Sequence, residues 1–174
     1  MAFNLFDRLF NRHPAPPPMD ALYRSVVAVA REPRWYTAGT VPDTLDGRFD
    51  MVALVLSLVL IRLESAPGQE QNLVSLTERF VADMDGSLRE IGVGDLVVGK
   101  HIGKMMGALE GRLGAYRAAF AGNEVLADAL ARNLYRGAPV DGDALAWAAA
   151  EVVDLNRVID GVPLDRLLDG EIPR

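Results

Sequence analysis

Apolar residues along this chain recur at intervals of three and four and nowhere settle into the strict alternation of a half-buried strand, so the pattern predicts helices and no sheet. The most regular stripe is Val98, Ile102, Met105, Met106, Leu109, Leu113, Tyr116 and Phe120, one face of a helix from a cap at Asp95 to about Phe120. Leu22, Val26, Val27 and Val29 mark a helix over Met19 to Arg31, stopped by Pro33 because a residue before proline is pushed out of helical geometry. Leu73, Leu76, Phe80 and Met84 mark another over Gln69 to Met84. Asn123 is placed to cap a helix to Arg136 with Val125, Leu126, Leu130 and Leu134 inward, and Asp143 to open a last long helix with Leu145, Trp147, Val152, Leu155 and Ile159.

One segment breaks this amphipathic rule. From Phe49 to Leu63 only Asp50, Ser57 and Arg62 interrupt a wholly apolar sequence, and Asp46 precedes it as a cap for Gly47 to Glu64. A helix apolar on all sides is buried on most of them. The expected architecture is therefore an all-α, single-domain multi-helix bundle around a central apolar helix. Ahead of it, residues 1–18 form an amphipathic arm (Phe3, Phe6, Leu9 and Phe10 against Asp7, Arg8, Asn11 and Arg12) and the stiff spacer HPAPPP; the helical domain is 19–174. The arm suits a membrane surface or a partner as well as the protein's own core.

Two polar stretches divide the bundle. WYTAGTVPDTLD, from Trp35 to Asp46, reads as a loop whose Trp-Tyr pair either plugs the core or presents a recognition patch. Asp83 to Lys104 holds an acidic turn, DMDG, and a hinge, GVGD, before the long helix. That helix also carries Gly99, Gly103, Gly107 and Gly111 four residues apart with Gly114 beside them, more than 90° from the apolar stripe and bordered by Lys100 and Lys104. Four such glycines cost about 3–4 kcal/mol relative to alanine. Close approach of another backbone would offset this, either a second helix of this chain or a helix of a client protein.

Composition narrows the chemistry. The 174 residues suit one domain with its own core. A net charge of −6 argues against direct nucleic-acid binding, which rests on neutralising phosphates. The absence of cysteine excludes disulfides and thiolate chemistry, and His13 and His101 are too far apart for a metal motif. No metal or cofactor is expected: Asp83, Asp85, Glu90 and Asp95 lack the ligand spacing of a calcium loop, and GVGD lacks the phosphate-loop spacing. No triad can be assembled around His101, so binding is expected and catalysis is not. The start of the chain does not read as a secretory signal, and the longest apolar run, Met51 to Ile61, falls short of the roughly 20 residues of a spanning helix, which predicts a cytoplasmic protein.

Two stretches resemble the ubiquinol–cytochrome c chaperone family: AREPRWYTAGTVPDTLDGRFDMVALVLSLVLIRL (30–63) and FVADMDGSLREIGVGDLVVGKHIGKMMGALEGRLGAYRAAF (80–120), together about half the chain. The family motif falls on Trp35, Tyr36, Asp43, Arg48, Asp83, Asp85, Arg89, Glu90, Gly92, Gly94, Asp95, Lys100, Lys104, Arg112 and Tyr116. Where family members are expected to carry a histidine in the long apolar helix, this chain has Val55. The resemblance implies an all-helical chaperone that binds newly made cytochrome b, or another subunit of the cytochrome bc complex, and acts near the ribosome or as a peripheral protein at the inner membrane of a bacterium. Partner contact is expected from Trp35, Tyr36, Lys100, Gly103, Lys104 and Gly107, and internal pairing from Arg48, Asp83, Arg89 and Asp95. The rival expectation is a helical carrier or enzyme holding a quinone or haem, and oligomeric state is left open.

Overall fold

The computed structural model describes residues 19–90 and 95–173. Its elements are α1 (Asp20–Ala30), α2 (Pro33–Thr37), α3 (Leu45–Glu64), α4 (Glu70–Glu90), α5 (Asp95–Phe120), α6 (Leu126–Asn133), α7 (Gly142–Gly161) and α8 (Leu164–Leu168). No strand occurs among the described residues. The predicted arm and spacer (1–18) and Gly92 and Gly94 of the predicted hinge lie outside them.

Helix α3 is the post of the bundle. Every residue from Asp50 to Leu60 is buried, and α1, α4, α5 and α7 all pack on it. A helix covered on several sides needs apolar residues all round, which is why its sequence lacks an amphipathic stripe. Val55, at the position where a histidine was expected, lies within this core.

Several predicted boundaries are corrected. Thr44, not Asp46, caps α3: its Oγ1 accepts from the Gly47 N–H at 3.1 Å. A Cβ on Gly47 would lie 1.9 Å from the Pro42 carbonyl oxygen, so the entry to α3 requires glycine. Asp141, not Asp143, caps α7, accepting from the N–H groups of Asp143 and Ala144 at 3.0 and 3.2 Å. Asn123 does not cap α6. Its N–H donates to the Ala118 carbonyl while Gly122, at φ 76°, donates to Ala119, and these two bonds close the end of α5. The next helix then starts only at Leu126, leaving Val125, expected inside, 61 % exposed.

The segment expected as a loop after Pro33 begins with a short helix, α2, led by proline at its first turn. Trp35 is completely buried, and its Nε1–H donates to the Val29 carbonyl at 2.9 Å. The Tyr36 hydroxyl donates to the Ala30 carbonyl at 2.9 Å. Both rings thus supply donors to carbonyls in the last turn of α1, the Val29 carbonyl also accepting from the Glu32 N–H at 3.2 Å. Trp35 also meets Trp147 edge-on at 5.8 Å, and the Tyr135 hydroxyl donates to the Gly39 carbonyl at 2.6 Å. The plug reading of this pair holds for Trp35.

The acidic turn is also corrected. DMDG is helical, inside an α4 that runs past Met84 to Glu90. Arg79 donates to Asp20 at 2.9 Å and the Tyr23 hydroxyl to Asp83 at 2.8 Å, so α4 is held alongside α1. Arg89 reaches Asp85 one turn back at 2.8 Å. The pair adds only a few tenths of a kcal/mol to the helix, and the bonds to α1 supply the rest of what offsets the turn preference of Asp-Gly.

Candidate functional site

Helices α3, α4 and α5 diverge around a groove of about 710 Å³. Helical spacing decides what faces it. Along α5, His101, Lys104, Met105, Ala108 and Arg112 recur at three and four; along α4, Asp83, Met84 and Ser87 do; along α3, Leu45, Phe49 and Val52 do. Arg31, just past α1, and Arg136, just past α6, complete the wall. The floor is apolar (Phe49, Val52, Met84, Met105, Ala108), the rim is charged, and Leu45 stands 61 % exposed at its edge. It is half-open to solvent.

Beneath one end lies a charge cluster built on Asp50, the one carboxylate in the buried run from Asp50 to Leu60 of α3. Its side chain has no solvent exposure. Oδ1 accepts from Arg112 at 2.6 Å, Oδ2 accepts from Arg136 Nε at 2.5 Å, and Arg136 also donates to Asp46 at 2.7 Å. The bond to Asp50 holds the Arg136 guanidinium above its ordinary pKa. Arg136 occupies the left-handed region at φ 56°, uncommon for a residue with a side chain, just past the end of α6. Arg112 donates to the Ala108 carbonyl at 3.1 Å and lies 5.6 Å over the Phe49 ring, yet its buried Nε–H has no acceptor. The buried Tyr116 hydroxyl, which feels both Arg112 and Asp50, has none either, and burial raises its pKa.

Of the residues singled out from sequence, the groove gathers Arg48, Asp83, Lys104 and Arg112. Arg48 pairs with Asp43 at 2.6 Å, which holds that carboxyl below its usual pKa and the guanidinium above its own. Asp83 is partnered by the Tyr23 hydroxyl, and burial, helped by that bond, pushes the phenol's pKa up. Tyr36 is half-buried against α1. Trp35 has no face to offer a partner, because its donor and its ring are both used inside the core, so its place among the contact residues is withdrawn. Lys100, Gly103 and Gly107 are exposed, as is Glu90. A Cβ on any of Gly99, Gly103, Gly107, Gly111 or Gly114 would meet nothing within 4 Å, so no helix of the described chain rests on that face. Asp95 begins α5.

Sequence reasoning missed Asp50 and Arg136 as a pair, and Arg31, Phe49 and Met84 as groove residues. Asp50 carried a signal, a lone carboxylate in a buried run. Arg136 carried none, because its partner is 86 residues away.

An all-α bundle with an open, ion-rimmed apolar groove defines a binding domain. The chain belongs to the ubiquinol-cytochrome C chaperone family, whose sequence model matches residues 37–174. The match begins just after the Trp35-Tyr36 pair. Among solved structures, the chain is similar to the crystal structure of the Cbp3 homolog from Brucella abortus, at 33% identity and a TM-score of 0.76, over 88% of this chain and 86% of that one. No curated protein matches the chain.

Proposed function

We propose that this protein is an assembly chaperone that binds newly made cytochrome b, or another subunit of the cytochrome bc complex, and promotes assembly of that complex without bond-making chemistry of its own. The observation that carries this reading is the open groove between α3, α4 and α5, apolar at its floor and charged at its rim, in a member of the chaperone family. A client rich in membrane-spanning helices offers amphipathic or apolar segments that a groove of this kind covers until partner subunits replace it. The exposed glycine face of α5 offers a second approach for a client helix, with Lys100 at its border. Among the described residues no helix is long and apolar enough to cross a membrane.

The test is genetic and spectroscopic. Deleting the gene lowers b- and c-type cytochrome absorbance of the cytochrome bc complex, and a tagged copy recovers cytochrome b from membranes. Normal cytochrome bc content in the deletion strain removes the assembly reading. Recovery of a coloured or lipidic ligand in place of a subunit favours a small-molecule carrier.

A further inference from the structure

Resting on that reading of the groove, we infer that its occupant is an acidic amphipathic helix: one apolar stripe flanked by carboxylates, which meet the cationic wall of α5. In a chain of net charge −6, five guanidinium or ammonium groups line the groove; Asp50 neutralises Arg112 and Arg136, Asp43 neutralises Arg48, and the carboxylates in the lining itself are Asp46 and Asp83. Both carboxylates are already engaged, Asp46 by Arg136 and Asp83 by the Tyr23 hydroxyl. Lys104 and Arg31 make no ion pair among the described residues, so two cations face the groove unneutralised.

The second observation is independent of net charge. Arg112 Nε–H is buried at the groove with no acceptor among the described residues, although the same guanidinium bonds Asp50 and Ala108. A buried donor without a partner is a standing demand for an acceptor oxygen. Lys104 and Arg112 lie two turns apart on one face of α5, with Ala108 between them, and a helix laid along α5 with carboxylates on the same two-turn spacing would reach both. Its apolar side would then rest on Phe49, Val52, Met84 and Met105, where the two methionines adapt to varied shapes. The shape favours a helix over a free lipid chain: the groove is walled by several helices and open along its rim, so an acyl tail would stay wet on one side, whereas a helix turns its polar side outward. A basic segment would be repelled.

Fluorescence anisotropy with the full-length protein tests this. Three labelled 18-residue peptides share one apolar stripe and carry Glu, Gln or Lys at the flanking positions. The Glu peptide is expected to bind about tenfold tighter than the Gln peptide at low salt, the equivalent of two or three partly exposed charge contacts, with the Lys peptide weakest. The preference should shrink to about twofold or less at 0.5 M salt. Lys104→Glu should cut the affinity for the Glu peptide about tenfold and improve that for the Lys peptide, with unchanged circular dichroism. Equal affinities for the Glu and Gln peptides would overturn the acidic preference while leaving the chaperone reading intact. Binding of oleate with no binding of any peptide would overturn the helix in favour of an anionic lipid. Failure of the chaperone reading itself is seen separately, in the cytochrome content of the deletion strain.

Discussion

Replacing Asp50 with asparagine keeps the shape of the post and removes the one charge in its buried run. Asp50 is fully buried and Arg112 is 11% exposed, so the Arg112 guanidinium would be left desolvated with only a weak amide acceptor. Breaking such a pair from one side costs about 3–5 kcal/mol. The Arg136 contribution is smaller, because that side chain is 44% exposed and water screens it. A loss of about 3 kcal/mol is expected, and with a urea m-value of roughly 2 kcal/mol/M the unfolding midpoint falls by about 1.5 M. The double variant Asp50→Leu with Arg112→Met replaces the pair by apolar groups of similar volume and should recover most of the loss, since a buried pair contributes little net stability over such a replacement. Urea unfolding followed by far-UV circular dichroism measures both. A shift below about 0.3 M for Asp50→Asn, or a double variant as unstable as the sum of its singles, would refute the view that burial of an unmatched charge is the penalty.

Other outcomes follow from the same geometry. Gly103→Ala and Gly107→Ala, where an added methyl meets nothing, should each raise stability by about 1 kcal/mol, whereas Gly47→Ala, facing the Pro42 carbonyl, should lose roughly 3 kcal/mol or more; equal effects would dismiss the packing account. Gly103→Leu with Gly107→Leu should not lower the melting temperature, and should weaken recovery of cytochrome b if that face receives the client; unaltered recovery removes the face from the interface. Burial pushes Tyr135 from 10.0 up to about 12, and raises Tyr23 and Tyr116 as well. The folded chain keeps phenolic protons that the unfolded chain releases, so this stability is complete below pH 10 and is lost as pH climbs from 10 through 12. Denaturation midpoints at pH 8, 10 and 11 should hold and then fall, and a rise above pH 10 would contradict the burial of these hydroxyls.

Periodicity by itself determined that the chain is helical, which run is the central post, and where the long glycine-bearing helix lies. Those properties are local: a three-and-four beat, or its absence in a helix wrapped on several sides, is written within about 20 residues. Motif resemblance added the family and marked Arg48, Asp83, Lys104 and Arg112. Tertiary structure decided the rest. It held DMDG in a helix, with Tyr23 and Arg89 reaching its carboxylates, and it buried Trp35 between Trp147 and the end of α1. It also left the glycine face uncovered, which no spacing rule could foretell, since what packs on a helix depends on segments far along the chain. The groove belongs to this second category: Asp50 meets Arg112 and Arg136 across 62 and 86 residues, and its wall draws on several helices at once. Charges placed so far apart in sequence acquire a common function only when packing brings them within hydrogen-bonding distance, where low solvent access makes each one count.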